Sequence, residues 1–129
     1  MSEILVELGA GELIDKITIL RIKSERIEDA DKLKNIHFEL GVLEETCNRH
    51  VPASEEIKRL TDALKTVNEA LWEIEDDIRD CESESDFGDK FIQLARSVYI
   101  TNDKRAALKK EINLATGARI IEEKSYKDY

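Results

Sequence analysis

Ile57-Lys58-Arg59-Leu60-Thr61-Asp62-Ala63-Leu64-Lys65-Thr66-Val67-Asn68-Glu69-Ala70-Leu71-Trp72-Glu73-Ile74-Glu75-Asp76-Asp77-Ile78-Arg79-Asp80-Cys81 is the stretch that decides how this chain folds. Its apolar residues Ile57, Leu60, Leu64, Val67, Leu71, Ile74, Ile78 and Cys81 alternate steps of three and four without a miss. That is a heptad seam, so the spacing predicts one long helix over 54–84 whose apolar ridge a neighbouring rod must cover. Ser54 has the chemistry of its N-cap, and Pro52 ends whatever helix precedes it. After the Ser83-Glu84-Ser85-Asp86 turn a second long helix is expected over 87–116, with Gly117 placed to stop it. Each rod is about 45 Å long at the α-helical rise. The short link between them implies an antiparallel hairpin.

Upstream, a helix over 10–28 carries Leu13, Ile17, Leu20 and Ile27 on one face and Ile14, Ile19 and Ile22 elsewhere. A helix apolar on several sides is central or lies at a subunit interface, and here it suggests a homodimer. A helix over 31–50, with Asp31 as its cap, carries Leu33, Ile36, Leu40, Leu43 and Cys47, with Phe38 and Val42 as a second stripe. Residues 3–8, Glu-Ile-Leu-Val-Glu-Leu, read as a short extended arm that needs a partner edge. That edge would come from a second copy or from the tail, 118–129, which is expected to dock on the bundle. The fold class is therefore all-α: one domain, a bundle of four main helices dominated by the hairpin. Only one proline and five glycines in 129 residues agree with it, because a β-rich fold needs many more turn residues.

Composition narrows the function. The net charge of −9 argues against nonspecific affinity for nucleic acid or an anionic membrane surface. No apolar run is long enough to span a bilayer, and no export signal opens the sequence. Cys47 and Cys81 fall at core-like positions and read as reduced, buried thiols of a cytoplasmic protein. Nine acids against one base, Arg79, give residues 73–89 a charge of −8, which reads as a solvated face. There is no Gly-rich phosphate loop, Cys-x-x-Cys or nucleophile signature, so no cofactor or metal is expected. Glu73-x-x-Asp76 has the spacing of the magnesium-binding acids of helical nucleotide pyrophosphatases, but these acids point away from the seam.

The last helix is where chemistry can hide. Its stripe begins Phe91, Leu94, Ala95, Val98 and continues as Asn102, Arg105, Lys109 and Asn113; Phe91, Val98, Arg105, Lys109 and Asn113 all lie within about 60° of Asn102 on the helical wheel. An apolar face thus turns polar without rotating. Buried charges are costly unless paired, so acids must answer Arg105 and Lys109. Glu75, between Leu71 and Ile78, is the candidate from the long seam, with Asn68 on its rim. Glu44 holds a similar place on the second helix. A polar layer of this kind either fixes the register of the bundle or forms a pocket in which Arg105 and Lys109 face an anionic ligand.

Three segments resemble a known family. Gly11-Glu12-Leu13-Ile14-Asp15-Lys16-Ile17-Thr18-Ile19-Leu20, Ala95-Arg96-Ser97-Val98-Tyr99 with Asn102-Asp103, and Glu122-Glu123-Lys124-Ser125-Tyr126 are similar to an uncharacterised family of small bacterial and phage proteins. The resemblance covers nearly the whole chain and carries no reaction. It implies that the start of the first helix, the middle of the last and the tail are signature segments. Asp15, Lys16, Asn102, Arg105 and Tyr126 then join Glu75 and Lys109 as candidate ligand-binding residues. The expected function is a non-catalytic interaction or assembly protein, a homodimer with a possible further protein partner. The alternative is a binder of small anions, or an enzyme, that uses the polar layer.

Overall fold

The computed structural model describes residues 2–129. It contains four helices: α1 (Ala10–Arg26), α2 (Ala30–His50), α3 (Glu55–Ser83) and α4 (Asp89–Thr116). Helix makes up 74% of the chain, and no described residue belongs to a strand. The expected all-α bundle is what forms.

The punctuation follows local chemistry. The Ser54 hydroxyl accepts from the Ile57 N–H at 3.1 Å and starts α3. Gly117 ends α4 in the left-handed region at φ 68°, which glycine adopts without a steric penalty. At the start of α2 the cap is Asp29, which accepts from the Lys32 N–H at 2.9 Å, and not the expected Asp31. Asp31 lies inside the first turn, where its charge favours the helix N-terminus. The other ends fall within two residues of expectation.

α3 and α4 form the antiparallel hairpin. Leu60 and Leu64 near the start of α3 cluster with Ile112 near the end of α4, and Lys90 of α4 lies close enough to act electrostatically on Cys81. Phe87 and Phe91 meet edge to face at the closed end. No residue of the seam from Ile57 to Cys81 is exposed, but only Leu60, Leu64 and Cys81 are fully covered.

α1 packs against all three other helices, whereas α2 packs on α1 alone. This accounts for the several-sided apolarity of α1. Leu13, Ile14, Ile17, Leu20 and Ile22 are all buried within one protomer. The expectation that this pattern marks a subunit interface is thereby replaced by an intramolecular cause. The core is densest where Ile14 meets Leu60, Leu64 and Ile112, with Cys47, Val51 and Ile57 packed against them. Cys47 is half-buried and Cys81 buried, and neither is in a disulfide. The arm carries no strand, and among the described residues no backbone–backbone hydrogen bond holds residues 3–8. No described helix is long and apolar enough to cross a membrane.

Candidate functional site: a buried ion pair beside a lysine-lined cavity

Asp15 is the centre of the polar layer. It lies on α1 among Ile14, Leu13 and Ile17, and only 1% of it is exposed. Arg105 of α4 closes on it through both ends of the guanidinium. Nε donates to Oδ1 at 3.0 Å and Nη2 donates to Oδ2 at 2.5 Å. Asn68 of α3 donates from Nδ2 to the same Oδ1 at 2.9 Å and to the Thr18 hydroxyl at 3.0 Å. Thr18 in turn donates to the Asp15 carbonyl at 2.8 Å. One carboxylate therefore ties three helices together, and no buried side-chain polar atom among the described residues lacks a partner.

These contacts decide what the groups can do. Burial opposes the charge of Asp15, but the hydrogen bonds from Arg105 and Asn68 and the charges of Arg105 and Lys109 outweigh it. Its pKa falls below the ordinary carboxylate value. A carboxylate so committed is a weak proton acceptor near neutrality and does not fit a general base. Lys109 shows the same balance: desolvation disfavours its charge, and hydrogen bonds to Glu12 and Glu122 more than restore it, so its pKa rises. An amine held protonated is not an activated nucleophile. Among the described residues no His, Cys, Asp and Glu cluster could hold a metal.

The approach of α1 to α4 is unusually close, and two glycines permit it. A Cβ on Gly11 would lie 2.3 Å from the Lys109 carbonyl oxygen, and one on Gly9 2.6 Å from Asn113 Oδ1. Gly9 supplies no side-chain cap for α1. Asn113 does so from α4, its Oδ1 accepting from the Gly11 N–H at 2.8 Å.

One turn from the ion pair, Lys109 bridges Glu12 of α1 at 2.7 Å and Glu122 of the tail at 3.2 Å. Lys110 reaches Glu123 at 3.3 Å, and farther along the tail the Tyr129 hydroxyl donates to Asp103 at 2.7 Å with its ring against Tyr99. The start of α1, α4 and the tail thus meet at Lys109. Beside it is an open cavity of about 440 Å³ lined in part by Lys16, Lys109, Lys110 and Lys124.

Of the expected residues, Asp15, Arg105 and Lys109 converge, and Lys16 lies alongside on the cavity wall. Asn102 is half-buried one turn before Arg105. Tyr126 is 77% exposed, its ring facing the Lys124 ammonium at 5.6 Å, and does not join Asp15. Glu75 does not answer Arg105: it accepts from Arg79 on its own helix at 2.9 Å, with both groups in solvent. The reason is register. In a hairpin closed at 84–88 the α3 residue level with Arg105 is Asn68, and Glu75 lies about 10 Å further toward the closed end. Glu44, likewise, pairs with Arg21 of α1 at 2.9 Å rather than with α4. Thr18, Glu12 and Glu122 were not expected at all. The signal that could have found the first two is the Gly9/Gly11 pair, which marks where α1 touches another backbone.

A chain built this way, an all-helical bundle around a satisfied polar knot, defines a structural class without defining a reaction. It belongs to the family of unknown function DUF6165, whose model matches residues 4–129. Neither a curated protein nor a solved structure matches the chain.

Proposed function

We propose that this protein is a non-catalytic helical assembly protein of the bacterial or phage cytoplasm that works as a homodimer, joined through its N-terminal arm and the outer face of α2. The observation that carries this reading is that the most exposed aliphatic side chains, those of the arm, adjoin an exposed apolar stripe on α2. Ile4, Leu5 and Val6 are 82%, 94% and 70% exposed, and Phe38 and Val42 of α2 are 74% and 47% exposed. A groove of about 770 Å³ runs between them, lined by the arm, Val42, Leu43 and Ile120. Contiguous apolar surface of this kind marks an interface.

The occupant is a second copy. The arm is mostly apolar and, among the described residues, without backbone–backbone hydrogen bonds over 3–8. Exchange of arms between two copies would cover side chains and backbone together by the same self-complementary patch. The area agrees. The protomer exposes 9288 Å², whereas a compact chain of its mass exposes roughly 7,000 Å². The difference exceeds the roughly 800 Å² per partner that a stable interface buries. Two reduced thiols fit the reducing cytoplasm. The closed Asp15–Arg105 pair favours assembly over a substrate at that point, because both groups are already committed to each other.

Sedimentation equilibrium at low micromolar protein tests this. The wild-type protein is expected to be dimeric, and Leu5→Glu/Phe38→Glu monomeric with unchanged helicity, since both side chains are in solvent within a protomer. A monomeric wild type, or a dimer indifferent to the double substitution, would sink the proposal.

A further inference from the structure

The wild-type chain carries net charge −9, yet the wall of the cavity between α1, α4 and the tail holds four lysines against three glutamates. Its cations come from three places: Lys16 from α1, Lys109 and Lys110 from α4, and Lys124 from the tail. Among the described residues Lys16 forms no ion pair. Lys109 is held in place, with only 13% of its side chain exposed, and its backbone is fixed by the glycine contact with α1. The rest of the wall is apolar, made by Leu8, by Ala106 and Ala107 one turn before the α4 lysines, and by Ile120.

Two of the three glutamates, Glu122 and Glu123, belong to the tail. They sit on Lys109 and Lys110 with 52% and 72% of their side chains exposed, and no helix or strand fixes them. The tail is pinned again at Tyr129, which bonds Asp103 and packs on Tyr99. It therefore runs along the cavity as a strap whose two carboxylates rest on the α4 lysines at its rim.

From this arrangement we infer that the cavity is a binding site for a small organic oxyanion, a phosphate or carboxylate attached to an apolar group, and that the Glu122–Glu123 strap occupies it in competition with that ligand. Lys16, Lys109 and Lys110 take the oxyanion, as charge-assisted hydrogen bonds favour. The alanine floor takes the apolar group. Glu12 stays on Lys109 from the α1 side and orients its ammonium. Binding displaces Glu122 and Glu123, so ligand affinity and strap docking oppose each other. The site is distinct from the Asp15–Arg105 pair, and it shares Leu8 and Ile120 with the groove assigned to the dimer, whose far side is formed by Val42 and Leu43.

Calorimetric titration of the full-length protein with phenyl phosphate, with benzyl alcohol as the neutral control, decides it. Phenyl phosphate is expected to bind saturably at millimolar concentration, inorganic phosphate to compete, and benzyl alcohol not to bind. Glu122→Gln/Glu123→Gln is expected to bind phenyl phosphate about fivefold tighter, the factor by which two partly exposed ion pairs would hold the site against a competitor. Lys16→Gln, a change at an exposed position, is expected to weaken binding in the same background. A role limited to stabilising the tail predicts no gain of affinity in the glutamine variant. The inference is overturned by absence of saturable binding in the glutamine variant, by equal affinity in wild type and that variant, or by binding that Lys16→Gln leaves untouched.

Discussion

Replacing the half-buried Arg105 by Met should destabilise this protein strongly, and its cost should depend on pH in a particular direction. In the wild type Arg105 supplies two of the three hydrogen bonds to the Asp15 carboxylate, and Asn68 supplies the third. The side chains differ in burial: Arg105 is 30% exposed and Asp15 1%. Removing the guanidinium therefore strands a carboxylate that has no water to replace it, whereas Asp15→Asn strands a cation that can swing outward. Breaking a buried pair costs about 3–5 kcal/mol. Asn68 and the nearby Lys109 charge remain, so Arg105→Met is expected near the lower bound, about 3 kcal/mol, and Asp15→Asn at about 1–2 kcal/mol. The double variant should cost less than the two singles together, because neither partner is left alone. In Arg105→Met the stranded carboxyl has a pKa above its unfolded value near 3.9, so the deficit is full above that raised pKa and shrinks as pH falls toward 4. Urea titrations followed by helicity at pH 7 and pH 4.5, at one fixed protein concentration, measure all of this. A loss under about 1 kcal/mol, or the same loss at both pH values, would refute the assignment of Asp15 as a buried, charged partner of Arg105.

Two glycines make a matched pair. Gly11→Ala should cost about 2 kcal/mol, because its methyl meets the Lys109 carbonyl, while Gly41→Ala, with open space around it, should gain about 0.5–1 kcal/mol by helix propensity. Ser54→Ala should lower the urea midpoint by about 1 kcal/mol of stability with no change in slope, by loss of the α3 cap. For the wild type, the lowered pKa of Asp15 gives a stabilisation present above the ordinary carboxylate value and lost as pH falls through the folded one, so melting temperature should drop below about pH 4. Lys109 acts at the other end: its raised pKa gives a contribution intact below the ordinary lysine value and lost only on going above about pH 10.5.

Much of the fold was legible because it rests on short-range chemistry. The unbroken seam from Ile57 to Cys81, Ser54, Pro52 and Gly117 each act within a few residues, so the hairpin and its ends could be read from spacing. The step from Val98 to Asn102, Arg105, Lys109 and Asn113 also announced a polar layer. What could not be read was which acid closes it. Glu75 satisfied the wheel but not the axial register, and the true partner, Asp15, looked like one polar position in a helix of isoleucines. Its role appears only when α1 is laid across the hairpin, a long-range fact fixed by Gly9, Gly11 and Asn113. For the same reason the apolar breadth of α1 fits a central helix or a subunit contact equally well in the sequence, and only its three intramolecular neighbours show it to be central.

That crossing explains why a charge sits where an isoleucine would pack. Leu13, Ile17 and Leu20 follow the same four–three spacing as Leu60, Leu64 and Val67, so apolar packing alone would tolerate α1 displaced along the hairpin by one turn, about 5.4 Å. The polar contacts would not. A one-turn slide takes Asp15 away from Arg105 and Asn68 and leaves a carboxylate in the core with no donor. It also moves Gly11 off the Lys109 carbonyl and drives a bulkier residue against it. The ion pair and the glycine contact therefore penalise the slipped states more than they stabilise the native one. Glu12 and Lys16 lie within one turn of Asp15 on the same helix, so the register that seats Asp15 on Arg105 is also what sets Glu12 on Lys109 and brings Lys16 to the cavity wall. A variant that loosens the pair without unfolding the chain should then lose the geometry of the lysine cluster before it loses the helices.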